Sequence, residues 1–347
     1  MPLGETADMS IGGEPIGVAV LGAGRMGQTH IRNLAGMADA RVVAVDDPVA
    51  SAAEAGRALA RADQAYTDAR RAIAARGVDA VVIVTPTSTH AELIELAVKA
   101  GKAVWSEKPI ALELAETARV VELSERSGAP VQLGFMRRFD PGYAAAKARI
   151  EAGELGRLEQ FRALSRDTYP PPVEFLHHAG GIFLDMAVHD LDLARFLVGE
   201  VAEVSAWAAV LAEPRFAEAN DFDTALAVLH FENGAMGVVE TARHSPWGYD
   251  IRTEVAGAAG KVVVEDVQRT HATYSHDFGF HGDHFESFPD RFEAAFRLEM
   301  EAFIEAVRAG RRPTPGPHDA LETLRLAIAC TRSRAEGRPV KLSEVTA

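Results

Sequence analysis

Short runs made almost wholly of apolar, often β-branched residues recur early in the chain, at 16–21, 41–45, 79–84, 103–105 and 131–133. Apolar side chains fill successive positions instead of alternating with polar ones. Each run therefore fits a strand covered on both faces, the condition of a parallel sheet. The stretches between them, at 25–36, 49–60, 89–100 and 114–127, fit helices. Alternation of strand and helix selects βαβ units with right-handed crossovers, and so an α/β domain.

After about residue 136 the pattern changes. A helix is predicted over 139–152, a strand near 158–165, a turn at Tyr169-Pro-Pro-Pro172 and a helix over 183–197. Extended segments follow at 201–212, 224–231, 235–242, 251–256 and 261–265. Turn signals at Glu232-Asn-Gly234 and 257–260 separate some of them, as antiparallel neighbours require. Helices over 292–309 and 320–335 complete an α+β half. The expected organisation is a flexible tail over 1–14, a dinucleotide-binding domain over 15–136 and a second domain over 137–347.

Charge and cysteine content exclude several function classes. With 36 Lys plus Arg against 50 Asp plus Glu, the formal charge is −14. A protein that binds nucleic acid by releasing counterions needs a basic surface instead. A single cysteine, Cys330, excludes a disulfide scaffold, and its apolar helical surroundings make it a core residue. A 48% hydrophobic composition excludes an intrinsically disordered chain. The sequence has no apolar run of membrane-spanning length. The N-terminal segment MPLGETADMSIGGEPIG lacks the basic and apolar regions of a secretory signal, so the expected compartment is the cytoplasm.

The first run leads into Gly22-Ala-Gly24-Arg25-Met26-Gly27, a G-x-G-x-x-G between a strand and a helix. In that setting Gly22 permits the turn, Gly24 lets the backbone approach a pyrophosphate, and Gly27 lets helix and strand pack closely. The helix N-terminus adds free N–H groups and partial positive charge. Asp47 lies 25 positions after Gly22, where a carboxylate bonds the adenine ribose. An acid there repels a 2′-phosphate, so NAD is expected over NADP, with Asp46 as the alternate ribose ligand. Thr85-Pro-Thr87-Ser-Thr-His90 sits at the carboxyl edge of the sheet. Thr87 or Ser88 can cap the following helix, and His90 is expected near the cofactor without a catalytic duty. Cofactor contacts are thus expected from Gly22, Gly24, Arg25, Met26, Gly27, Asp46, Asp47, Thr85, Thr87, His90, Glu107 and Lys108.

Two further pieces carry chemistry. Glu107-Lys108-Pro109 follows the run at 103–105, and Lys108 is one of only six lysines, so a lysine here is a specific choice. An ammonium on a flexible stem can bond a substrate oxygen, and the proline restricts the residue before it. The second piece is Gly180-Gly181 followed by Asp185 and His189. Four apart on a predicted helix, Asp185 and His189 share a face. A carboxylate beside an imidazole raises its pKa and orients it for proton transfer. His177, His178, His244, His271, His276, His281 and His284, with Asp277 and Asp283, form no metal-binding pattern, and no metal is expected.

Together these motifs resemble those of the Gfo/Idh/MocA oxidoreductases, from about residue 15 to 340. The segments Gly134-Phe-Met-Arg137-Arg138-Phe-Asp-Pro-Gly-Tyr143, Ser165-Arg-Asp167 and Trp247-Gly-Tyr249-Asp-Ile251 look like the inositol 2-dehydrogenase branch. The resemblance implies a Rossmann domain followed by an α+β domain with an open, mainly antiparallel sheet. The outer face of that sheet commonly mediates dimers and tetramers. It implies NAD, a polyol substrate, Lys108 on the reacting hydroxyl, Asp185 supporting proton transfer and His189 as general base. Arg137 or Arg138, Asp167, Trp247 and Tyr249 would line the polyol pocket. Two residues depart from the pattern: Ser106 stands where Cys is frequent, and Trp247 where a hydrogen-bonding Tyr is common. A pyranose, amino-sugar or aminocyclitol dehydrogenase is the nearer rival, and a non-enzymatic NAD-binding sensor the distant one.

Overall fold

A computed structural model describes residues 13–265, 268–270 and 272–346. The tail expected over 1–14 falls largely outside the described residues, and so does His271.

The strands of the first sheet are β1 (Ile16–Leu21), β2 (Ala40–Asp46), β3 (Gln64–Tyr66), β4 (Ala80–Ile83), β5 (Ala103–Glu107) and β6 (Val131–Gly134). They run parallel in the order β3-β2-β1-β4-β5-β6, the doubly wound arrangement. Helices α1 (Arg25–Ala35), α2 (Ala50–Ala60), α3 (Ala69–Ile73), α4 (His90–Lys99) and α5 (Leu114–Ser127) form the crossovers. The order reverses between β1 and β4, which opens a crevice at their carboxyl ends. Full burial of Val18, Val20, Val81 and Ile83 explains the unbroken apolar runs.

The second half holds α6 (Pro141–Glu151), β7 (Leu158–Arg166), α7 (Val173–Ala179), α8 (Ile182–Asp185), α9 (Val188–Leu197), β8 (Val201–Ala209) and α10 (Arg215–Glu218). Then come β9 (Thr224–Phe231), β10 (Met236–Ala242), β11 (Asp250–Gly257), β12 (Gly260–Val264) and the ribbon β13 (Thr273–His276) with β14 (Gly279–Gly282). Helices α11 (Phe288–Arg291), α12 (Glu293–Arg308) and α13 (Pro317–Glu336) precede β15 (Val340–Lys341). The large sheet runs β12-β11-β7-β10-β9-β8-β15, antiparallel except for the central β7–β10 pair. On β9, Ala225, Ala227, Leu229 and Phe231 face the core, while Leu226, Val228 and His230 face out. The open, mainly antiparallel sheet is therefore as expected.

Three local differences matter. The helix expected from 139 begins at Pro141, because Asp140 caps it, accepting from the N–H groups of Gly142 and Tyr143. The helix expected over 183–197 is broken at Met186–Ala187 into α8 and α9. Third, α12 packs Met300, Phe303 and Ile304 against Val82, Ala103 and Trp105 of the parallel sheet. Cys330 is fully buried, and burial pushes its thiol up to about 12, which makes it an inert core residue. Among the described residues no helix is long and apolar enough to cross a membrane.

Candidate active site

Two glycines of the crevice, Gly22 and Gly27, leave no room for a side chain. Gly22 has φ +95°, and a Cβ there would stand 2.6 Å from the Val84 carbonyl oxygen. A Cβ on Gly27 would stand 2.1 Å from the Gly22 carbonyl. Gly24, the N-cap of α1, instead faces open space, with no atom within 4 Å of a Cβ position. Bare backbone at the positive end of a helix, open on one side, fits a dinucleotide pyrophosphate. Arg25 lies over the Phe288 ring at 5.2 Å and Met26 packs on the second core, so both lean toward the other half.

The two acids after β2 have different surroundings. Asp47 Oδ2 accepts from the Ala23 N–H at 2.9 Å, and Oδ1 accepts from the Val49 N–H at 2.9 Å. Its partly exposed carboxylate is thus anchored to the glycine loop. Asp46 is buried with an unpartnered Oδ1, and burial first, then the charges of Asp47 and Asp68, push it up to about 6. Against an ordinary value of 3.8, the folded state holds this proton longer than the unfolded chain does. The contribution of this carboxyl to stability therefore falls as pH rises from about 4 to about 6, and is lost above that. Asp46→Asn is expected to stabilise the fold at pH 8 relative to pH 4 by on the order of 2–3 kcal/mol, at about 1.4 kcal/mol per unit. Urea unfolding at both pH values measures it; an equal effect at both would contradict the buried carboxyl.

At the next edge loop, residues 87–89 form a 3₁₀ turn and α4 starts at His90. Neither Thr87 nor Ser88 caps the helix, contrary to expectation, because the turn takes up their backbone. The Thr85 and Thr89 hydroxyls are 2.7 Å apart. His90 is buried, with Nδ1 2.7 Å from the Pro109 carbonyl oxygen and Nε2 2.8 Å from that of Thr85. Both ring nitrogens thus face backbone carbonyls.

Lys108 extends from the end of β5 across to the second half. Its Nζ donates to the Asp185 carbonyl at 2.9 Å and lies 3.8 Å from Asp185 Oδ1. Arg243 Nη1 donates to Asp185 Oδ2 at 2.9 Å, and its Nη2 reaches Asp221 Oδ2 at 3.4 Å. Arg243 is 1% exposed and Asp221 3%, so the pairing is shielded from water. Asp167 joins this charge cluster: burial, opposed by Arg243 and reinforced by Asp185, pushes its carboxyl up to about 6.

The expected Asp185–His189 pair does not form. The break at Met186–Ala187 removes the shared helix face, and Lys108 and Arg243 engage Asp185 instead. His189 is shifted in the direction opposite to that expected. Burial, then the positive charges of Lys108 and Arg137, hold it well below the usual imidazole value, so the ring is neutral at pH 7. Its Nδ1 is buried without a hydrogen-bond partner.

The residues expected in the polyol pocket separate into groups. Arg137 Nη1 bonds Asp190 at 2.7 Å and Ser165 at 3.1 Å, all buried. Arg138 holds Asp192 in a two-pronged contact at 2.6 and 2.8 Å and reaches Asp319 at 3.1 Å. Both guanidiniums therefore bond buried carboxylates. Tyr249 is buried edge-on to Phe292, and burial raises its phenol above the usual range. Trp247 is 52% exposed, lies 5.3 Å from the Arg166 guanidinium and donates to Asp250 at 3.4 Å. Arg166 in turn reaches Glu240. Trp247 thus sits with Arg166 and Asp250. Sequence reading misses Arg243 and Asp221 altogether. Among the described residues no three His, Cys, Asp or Glu side chains gather as a metal-binding group.

Comparison with known proteins agrees with this geometry. A family model described as an oxidoreductase family, NAD-binding Rossmann fold, matches residues 16–135. Its companion, the family's C-terminal alpha/beta domain, matches 147–342. The chain is 41% identical to the scyllo-inositol 2-dehydrogenase (NAD(+)) of Bacillus subtilis, over 93% of this chain and 95% of that one. It is 36% identical to the myo-inositol 2-dehydrogenase of Thermotoga maritima, over 94% and 99%. Among solved structures, scyllo-inositol dehydrogenase from Lactobacillus casei with bound NAD(H) and scyllo-inositol superposes with a TM-score of 0.89 at 29% identity, over 95% and 99%. The two family models span both sheets in chain order, and with them the glycine crevice and the Lys108 cluster; the chain belongs to the Gfo/Idh/MocA oxidoreductases.

Proposed function

We propose that this protein is an NAD-dependent dehydrogenase that oxidises a secondary hydroxyl of a cyclitol, myo-inositol or a stereoisomer, to the ketone. The observation that carries the reading is the meeting of Lys108, Asp185 and Arg243, with a neutral His189 nearby, at the carboxyl edge next to the crevice. Bound NAD supplies the hydride acceptor. Lys108 Nζ donates a hydrogen bond to the reacting oxygen and stabilises the developing alkoxide. The neutral His189 imidazole takes the hydroxyl proton, since a ring without a proton on one nitrogen can act as base near neutral pH. Asp185 holds the ammonium, and Arg243 holds Asp185. The similarity to inositol dehydrogenases supports the substrate class.

Asp47 is the ribose ligand in this reading. Asp47→Ser is expected to lower the preference for NAD over NADP by about tenfold or more, the worth of a charge-assisted hydrogen bond. Paired kcat/KM measurements with the two cofactors decide it, and an unchanged ratio moves the contact to Asp46. Asp167 binds polyol hydroxyls as an ionised acceptor. Its carboxyl, pushed up to about 6, becomes neutral as pH falls through that value, so the polyol KM is expected to rise below pH 6. Asp167→Asn removes this step from the profile if the assignment is right.

The boundary between residues 136 and 137 is part of the proposal, and the extents of the two family models support it. The exposed Trp207, Leu226, Val228 and Met236 on adjoining strands of the open sheet support a homo-oligomer, a dimer or tetramer. The lone buried thiol of Cys330 supports a cytoplasmic setting.

The test is NAD reduction by purified protein with myo-, scyllo- and chiro-inositol, run beside glucose and NADP controls. Rapid reduction with a cyclitol and NAD supports the proposal. Activity with a pyranose alone keeps the mechanism and changes the substrate class. Tight NAD binding without reduction of any substrate overturns the cyclitol reading and favours the sensor.

A further inference from the structure

His90 bridges two loops that the mechanism keeps separate. Its ring nitrogens lie 2.8 Å from the Thr85 carbonyl and 2.7 Å from the Pro109 carbonyl. Carbonyl oxygens only accept, and either ring nitrogen can carry the proton they accept, so the ring spans the two loops. Both anchor points are strategic. Thr85 directly follows Val84, whose carbonyl is the atom that excludes any side chain from Gly22 and whose N–H donates to Leu21. Pro109 directly follows Lys108, whose Nζ reaches Asp185. His90 itself opens α4, a helix fixed by the buried Ile94, Ala97 and Val98. A rigid element therefore holds the floor of the nucleotide-binding turn with one nitrogen and the lysine loop with the other.

We propose that His90 is a positioning residue that ties the aim of Lys108 to the nucleotide-binding turn, so that filling the turn and placing the ammonium are one event. This rests on the dehydrogenase role given to Lys108. A misplacement of about 1 Å in a reacting group can cost roughly 100-fold in rate. His90→Phe, which keeps the ring volume and removes both nitrogens, is therefore expected to lower kcat by about 30–100-fold, with polyol KM changed less than about threefold. His90→Gln, which keeps one donor, falls between this variant and the wild type.

The decisive measurement is a double-mutant cycle with Lys108→Met in the full-length protein, with melting temperatures checking that each variant folds. If His90 acts through Lys108, His90→Phe costs less than about threefold further once the lysine is gone. Losses that multiply would overturn the proposal and leave His90 a residue that holds the fold. A second readout needs no turnover. ADP-ribose fills the turn but lacks the nicotinamide that would cover the lysine. It is expected to change the acetic anhydride labelling rate of Lys108 about threefold or more in the wild type, and not in His90→Phe or His90→Gln. The same response in wild type and variants, or none in the wild type, overturns the coupling. If the wild type oxidises no cyclitol while the labelling response is present, the functional reading fails and the clamp stands.

Discussion

Lys108→Met is expected to cut turnover by about 10²–10⁴-fold while NAD still binds. The ammonium is the group placed to stabilise an alkoxide, and its Nζ already sits 2.9 Å from a carbonyl and 3.8 Å from a carboxylate oxygen of Asp185. Methionine keeps much of the length and packing of the stem and removes the charge. His189→Ala is expected to fall in the same range, because the neutral ring is the proton acceptor. Stopped-flow or steady-state turnover with saturating NAD, beside a fluorescence titration of NAD, separates chemistry from binding. Near-normal turnover in both variants would sink the assignment, and loss of NAD binding would move Lys108 to the cofactor site.

Arg243→Leu is expected to produce the largest loss of stability. The guanidinium is 1% exposed and bridges Asp185 and the 3% exposed Asp221. Asp221 also caps the start of α8, accepting from the Ile182 N–H at 3.0 Å. Removing the cation leaves two carboxylates close together and largely shielded from water. Breaking a buried pair in this way costs about 3–5 kcal/mol. At roughly 2–4 °C per kcal/mol, the melting temperature is expected to fall by about 6–20 °C. Because such a variant can fail to fold, the added change Asp221→Asn provides the control. It removes one stranded charge and is expected to recover part of the loss. A single Arg243→Leu variant that melts with the wild type would contradict the buried bridge. Turnover should fall as well, since Asp185 loses the contact that fixes it.

The sequence is most informative where one short segment decides the outcome. Gly22, Gly24 and Gly27 lie close together in one loop; Gly22 and Gly27 need their hydrogens for steric reasons local to it, and Gly24 leaves bare backbone facing open space. The buried parallel strands announce themselves because both faces are covered. The charge cluster is harder to read, because its members lie just after β5, β7 and β10, at the end of α8 and in the loop before β9. Periodicity over 183–197 shows an amphipathic helix but not the turn at Met186–Ala187, so it pairs Asp185 with the wrong partner. The sequence likewise does not show that the adjacent Arg137 and Arg138 pair with Asp190 and Asp192. Arg243 was within reach. The Glu232-Asn-Gly234 hairpin sets Met236 opposite His230 and Ala242 opposite Thr224. Counting one residue further places Arg243 beside Asp223, two residues from Asp221, and the Arg243 N–H indeed donates to the Asp223 carbonyl.

The placement of α12 has a consequence for the order in which the protein can be made. The parallel sheet is complete at Gly134, yet the face formed by Val82, Ala103 and Trp105 is covered by Met300, Phe303 and Ile304. From 134 to 300 the ribosome must add 166 residues. At roughly 5–20 residues per second that takes about 8–33 s. Throughout that interval the nascent nucleotide-binding half lacks the apolar cover that α12 gives this face, with His30 of α1 packed on the indole at 4.5 Å. The half that is born first is thus sealed late, by a helix from the far end of the same chain.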